Sequence, residues 1–320
     1  MEFQDWPSIF DTTTLIDRGL CPVTEIKQEN TFTSHSLYYE IHGNGPEKIV
    51  FVMGLNSSSF AWHAQLPYFA SSGKYTALVF DNRGCGYSGV PKGPFKTSTM
   101  AADVIALLDY IGWTEPRGIH IVGVSLGGMI AQELVWRIPE RVASLVLGVT
   151  TPGGPIWNNF APFEGVRLLL RATLESDQEK KIPIVLRMVF PETWLQEQSV
   201  QEPGRTNADV AADNLRLRFK VTKKQPLWGS IFQMCAALTH NVDCERLRKI
   251  SSSIPKITLV TGDTDLLVDA SNSVRLKKCM PEAELVQWTN VGHGIHIQCK
   301  DEFRDLVERT VKEGRERSSA

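Results

Sequence analysis

The sequence predicts an α/β fold, a mostly parallel sheet with helices on both faces and a helical insertion in its second half. Three observations carry this. Short apolar, β-branched runs alternate with longer segments of helical period, the pattern of strands joined by crossover helices. A serine bracketed by glycines falls where a buried run meets an apolar helical segment. A central stretch rich in Pro, Trp and Arg abandons the alternation, which later resumes.

The strands are expected at residues 37–41, 48–52, 76–80, 120–124, 144–149, 257–261 and 284–288. Helical period marks residues 59–70, 99–111, 126–137, 272–279 and 302–311. Gly43-Asn44-Gly45-Pro46 joins the first two strands with hairpin chemistry, so the sheet is expected to begin antiparallel. From Gly153 to Trp228 no strand is apparent. The division expected is an N-terminal extension at 1–34, a core in two parts at 35–152 and 229–312, a helical lid at 153–228, and a frayed polar tail at 313–320. An insertion at the carboxyl edge of a parallel sheet lies where ligands bind in such folds.

Bulk properties exclude several classes. With 320 residues and 42% hydrophobic content, a sizeable core can be buried. Lys and Arg number 34 against 36 Asp and Glu, so nothing suggests a nucleic-acid partner. Met1-Glu2-Phe3-Gln4-Asp5-Trp6 is acidic and carries no basic segment ahead of an apolar run, unlike a secretory signal. No apolar run is long enough to span a bilayer. Cys21, Cys85, Cys235, Cys244, Cys279 and Cys299 are scattered, without a CxxC pair or a metal-like cluster. They read as six free thiols in a reducing compartment, which makes the cytoplasm the expected location. Oligomeric state is left open.

Gly123-Val124-Ser125-Leu126-Gly127 matches G-x-S-x-G. Chance places such a match in roughly a tenth of chains this long, so its context decides. Residues 118–124 read as a buried strand and 126–134 as an apolar helix, which puts Ser125 on the sharp turn a nucleophile requires. Gly123 and Gly127 are expected to relieve crowding there. The helix N-terminus brings free N–H groups beside the serine.

With these residues in place, the chain resembles the α/β-hydrolase superfamily, in particular its single-lid esterase, lactonase and perhydrolase-like branch. In that family's count the helical lid follows the sixth core strand. Three further segments carry the resemblance. In Val52-Met53-Gly54-Leu55-Asn56-Ser57, Met53 stands where the family has histidine, and the Leu55 N–H takes the place of an oxyanion-hole donor. The Leu126 N–H would be the second donor. Asn56 or Ser57 would brace this loop. His42-Gly43 lies upstream and reads as structural. Asp81-Asn82-Arg83-Gly84-Cys85-Gly86-Tyr87-Ser88 resembles a bracing turn, with Asp81 and Arg83 expected as a structural ion pair. Gly262-Asp263-Thr264-Asp265 and Gly292-His293-Gly294 match the family's acid and base loops. The resemblance implies Ser125, Asp265 and His293 as a triad in that chain order. Asp263 and His296 are the neighbouring alternatives, and Asp269 reads as a helix cap.

The resemblance implies acyl transfer on a small to medium apolar carboxylic ester or lactone, through an acyl-enzyme and without metal or organic cofactor. Trp157, Phe160, Phe190 and Trp194, with Phe163, Met188 and Trp228, are candidates for lining an apolar substrate pocket. Two other readings stand beside this one. The same triad serves C–C bond hydrolysis and perhydrolysis, and some members of the fold bind ligands with little turnover.

Overall fold

Ile119–Val124 is buried along its whole length, as a strand covered on both faces must be. The computed structural model describes residues 8–25 and 33–319, so the acidic opening at residues 1–6 lies outside them. The strands are β1 (Leu15–Glu25), β2 (Thr33–His42), β3 (Glu47–Val52), β4 (Tyr75–Phe80), β5 (Ile119–Val124), β6 (Val142–Gly148), β7 (Lys256–Gly262) and β8 (Glu284–Trp288). They form one sheet in the order β1-β2-β4-β3-β5-β6-β7-β8. The pairs β1/β2 and β2/β4 are antiparallel, and the remaining pairs are parallel.

Helices cover both faces. On one side α2 (Thr97–Tyr110), α3 (Leu126–Arg137), α9 (Cys244–Ser253) and α10 (Ser271–Cys279) bury Leu107, Ile130, Leu247 and Leu276 against the sheet. On the other, α1 (Leu66–Ser71) and α12 (Lys300–Ser318) bury Phe69, Phe303 and Val307 in a second cluster around Trp62. Between β6 and β7 the chain adds α4 (Phe163–Leu174), α5 (Gln178–Val189), α6 (Glu192–Gln196), α7 (Asn207–Val221) and α8 (Leu227–Leu238). The inserted helices carry a small core of their own, built on Ile182, Leu186, Phe190, Leu195 and Ala211. The short α11 (Ile295–Gln298) leads into α12.

Five expectations need correction. Residues 15–25 are part of the sheet rather than a separate extension, because β1 pairs with β2 along its length and buries Cys21. The strands flanking Gly43–Pro46 are not hairpin partners. The chain crosses the end of β4, where Gly45 N donates to Tyr75 O and Glu47 N to Lys74 O. The C-terminal residues are not frayed: α12 continues to Ser318, and Arg315 donates to both carboxylate oxygens of Glu47. Asp81 and Arg83 do not pair. Both Asp81 oxygens are taken by the backbone N–H groups of Ser59 and Tyr87, and Arg83 forks onto Asp103 instead. Finally, Cys244 and Cys279 form a disulfide with a Cα–Cα separation of 5.1 Å, since α9 and α10 lie side by side. Cys21, Cys85, Cys235 and Cys299 are the free thiols. The expectation of a reducing compartment loses its ground with that pairing. No described helix is long and apolar enough to cross a membrane.

Glu47 ties three elements together. Its carboxyl is held down to about 2, chiefly by the hydrogen bond from His120 and then by Arg315. The folded value lies below the ordinary 4.5, so Glu47 contributes its full stability above that pH and loses it as pH falls toward 2. Replacing Glu47 with Gln is expected to flatten the stability-versus-pH curve in that window. Arg315→Met is expected to cost about 1 kcal/mol at neutral pH. Urea titrations across pH check both.

Candidate active site

Ser125 sits between β5 and α3 with φ 57° and ψ −126°, a conformation an L-residue adopts only under constraint. The constraint is crowding. A Cβ on Gly127 would come within 2.1 Å of Val52 O, and one on Gly123 within 2.6 Å of Gly127 O. Both glycines are therefore required for the turn to close. The Ser125 carbonyl accepts from Thr150 Oγ1 at 2.8 Å and from the N–H of Gly128 at 2.9 Å, which pins the turn from the next strand and from the helix.

The two C-terminal loops deliver His293 and Asp265 as a pair. His293 Nδ1 lies 2.8 Å from Asp265 Oδ2 and 3.0 Å from Oδ1. Asp265 is buried, and its Oδ1 also accepts from the N–H groups of Leu267 and Val268 at 2.7 and 3.0 Å. These donors fix the orientation of the carboxylate. Asp263 does different work. Its Oδ1 accepts from Asn290 N at 2.7 Å, and so holds the loop that carries His293. Ser125 and His293 line one cavity, although no hydrogen bond joins them among the described residues. Asp269 accepts from Ser271 N at the start of α10, a capping contact.

The loop after β3 passes close to the serine. A Cβ on Gly54 would lie 2.9 Å from Ser125 Cβ, so only glycine lets the backbone come this near. Leu55 follows, and Asn56 has φ 56°. Asn82 Nδ2 donates to Met53 O at 2.8 Å. The inserted helices supply the remaining braces. Asn56 N donates to Gln233 Oε1 at 2.9 Å, from α8, and the Arg218 guanidinium on α7 donates to Asn56 O. Asn56 thus braces the loop through its backbone.

The cavity measures about 720 Å³. Its wall is largely apolar and includes Met129, Val149, Leu186, Met188 and Phe190. Of the four aromatic residues singled out from the sequence, Phe160 and Phe190 line it. Trp157 does not and is 70% exposed, and Trp194, also outside the lining, packs against Phe190 with ring centroids 4.6 Å apart. Phe190 also explains a glycine beside His293, since a Cβ on Gly294 would fall 2.4 Å from its ring. Met188 lines the cavity as expected, whereas Phe163 and Trp228 lie at the surface.

The other histidines have structural partners or none. His42 bonds Thr14 and Glu40, His120 bonds Glu47 and Ser144, and His35 bonds Asp103. His240 meets Thr97, and burial pushes its imidazole down to about 4. His296 is buried against Trp62 and is pushed down to about 3, first by burial and then by His63 and His293. His63 and the basic residues Lys181, Arg218, Lys223 and Lys224 also line the cavity. Sequence reasoning missed them. Nothing local marks them, because three separate segments bring them together.

A family model described as the alpha/beta hydrolase fold matches residues 48–298. The chain belongs to that family. It is 27% identical over 285 residues to RutD of Caulobacter segnis, provisionally named a carbamate hydrolase, covering 86% of this chain and 96% of RutD. It is 31% identical over 130 residues to 3-oxoadipate enol-lactonase 2 of Acinetobacter baylyi, covering 40% of this chain and 47% of the lactonase. A thermophilic esterase from Thermogutta terrifontis superposes with a TM-score of 0.69 at 18% identity, over 92% of this chain and 98% of that one, a likeness of fold.

Below its ordinary value of 6.5, His296 takes up a proton in the unfolded chain but not in the folded one. Stability is therefore lost as pH falls from 6.5 toward 3. His296→Gln is expected to make that slope shallower, as read by thermal melts between pH 7 and about 4.

Proposed function

We propose that the protein is a serine hydrolase acting on a small to medium carboxylic ester or lactone, with Ser125 as nucleophile, His293 as base and Asp265 as its partner. The observation that carries this is His293, paired with Asp265, lining the same cavity as a serine held at φ 57°. With Nδ1 engaged by Asp265, Nε2 is the ring nitrogen left for the serine proton.

Ser125 Oγ attacks the ester carbon as His293 takes its proton. The carbonyl oxygen becomes an oxyanion between the N–H groups of Leu55 and Leu126. The first N–H groups of a helix have no partner within it, and Leu126 opens α3. Collapse of the intermediate expels the alcohol, which receives the proton from His293. Water then enters, His293 accepts its proton, and a second oxyanion releases the acid and Ser125. Asp265 stabilises the imidazolium at each stage. The inserted helices act as a lid, whose Phe190 and Met188 give the acyl or alcohol chain an apolar wall.

A fluorophosphonate probe followed by intact mass is the first test. One adduct is expected on the wild type and none on Ser125→Ala, whereas an adduct on both places the reactive group elsewhere. Ser125→Ala and His293→Ala are each expected to lower ester turnover by about 10⁴-fold or more while leaving the far-ultraviolet circular dichroism unchanged. Asp265→Asn is expected to lower kcat by about 10³–10⁴-fold. Asp263→Asn is expected to lower it far less, since Asp263 acts only on the backbone of the His293 loop. The reverse ranking would move the acid to Asp263.

A further inference from the structure

Several guanidinium groups in this chain sit on carboxylates, and Arg117 is met by the backbone carbonyls of Pro139, Val142 and Ser253. Arg83 forks onto Asp103, Arg246 reaches Glu133 and Arg315 reaches Glu47. Arg218 is different. It faces the cavity from α7, donates one N–H to Asn56 O, and has no carboxylate within ion-pair distance among the described residues. Burial holds its guanidinium below the ordinary arginine range, and Asp81 and Cys85 oppose that only from a distance. Asp81 is already committed to the N–H groups of Ser59 and Tyr87.

The same wall gathers more positive charge. Lys181 on α5 is pushed down by burial and then by Lys224 and Arg218, with Glu175 in opposition. Lys223 and Lys224 follow the end of α7, and both line the cavity. Glu175 is the only acidic residue among the described lining residues. A desolvated cation crowded by like charges is costly unless something neutralises it. Lys223 and Lys224 are exposed, whereas no carboxylate within the described residues meets the Arg218 charge, so an anion entering the cavity would find it unspent.

We infer that Arg218, with Lys181 and Lys224, forms a subsite for an ionised carboxylate carried by the substrate, so that the preferred ester or lactone is itself an acid. The guanidinium fork matches a planar carboxylate, and its N–H groups other than the one on Asn56 point to no competing acceptor. Arg218 touches Asn56, and Gly54 adjoins Ser125. Two residues of chain span at most about 7 Å. One short loop thus links the Arg218 contact to the serine, so that a single small molecule can reach both.

The reaction half of this inference rests on the Ser125 reading, and the binding half does not. The experiment separates them. Binding of monomethyl glutarate and of methyl pentanoate is measured by calorimetry on Ser125→Ala, in that background alone and with Arg218→Met, Arg218→Lys or Lys181→Met added. The carboxylate ester is expected to bind at least tenfold more tightly than the neutral one. Arg218→Met should abolish that margin, Arg218→Lys should restore part of it, and Lys181→Met should reduce it severalfold. Equal affinity for the two esters, or a margin that survives both Arg218→Met and Lys181→Met, would overturn the subsite. If Arg218→Met fails to fold, the Lys181→Met margin decides in the same way. Turnover of the matching p-nitrophenyl esters by the wild type is the second arm. Tight carboxylate binding with no turnover and no fluorophosphonate adduct would sink the hydrolase reading and leave the subsite standing.

Discussion

The turn at Ser125 is the constraint around which the rest is arranged. A residue held at φ 57° reverts to an ordinary conformation unless its surroundings forbid it. Here the prohibition comes from three directions. Val52 O lies where a side chain on residue 127 would go, Gly127 O lies where one on residue 123 would go, and Thr150 holds the serine carbonyl. Each of these contacts requires β3, β5 and β6 to stand side by side, which is the parallel core of the sheet. The strain is thus borne by the best-buried part of the molecule, where local rearrangement has nowhere to go.

From that centre outward, control passes to the inserted helices. They hold the loop after β3 through Gln233 and Arg218, and the His293 loop through Val189 O, which accepts from Gly294 N at 2.9 Å. Two loops that line the cavity thereby depend on one helical unit. The family's histidine after β3 is absent, and Met53 contributes only apolar packing and a backbone acceptor. The braces on Asn56 come instead from far along the chain. A displacement of the inserted helices would therefore disturb the loop after β3 and the His293 loop together.

The core was legible because it is written locally. Each of the seven predicted strands overlaps an observed one, and α3 begins and ends where its periodicity places it, since buried parallel strands and apolar helices announce themselves over a few residues. What escaped was set by distance. The pairing of Leu15–Glu25 with β2 was hidden by a polar, proline-containing strand at the sheet edge, where one face meets water. The Arg83–Asp103 pair spans 20 residues and the Cys244–Cys279 bridge 35, and neither spacing is a motif. Trp157 was chosen for its aromatic character, yet aromatic side chains on a short inserted segment can as readily face solvent. Arg218 was passed over because a charged residue on an amphipathic helix normally points outward. Only the folded chain reveals that it points in.

The Cys244–Cys279 bridge has a consequence for assembly. The segment it closes contains all of β7 and the loop that bears Asp265. Joining its ends removes loop entropy from the unfolded chain worth about 3–4 kcal/mol for a ring of this length. Asp265 is thus presented on a covalent ring, and Ser125 and His293 come from the open chain on either side of it. A thiol reductant would act on the ensemble from which this ring is recruited rather than on the charges within the cavity. The protein's tolerance of heat and denaturant is tied to its redox surroundings, while the chemistry of its cleft is not.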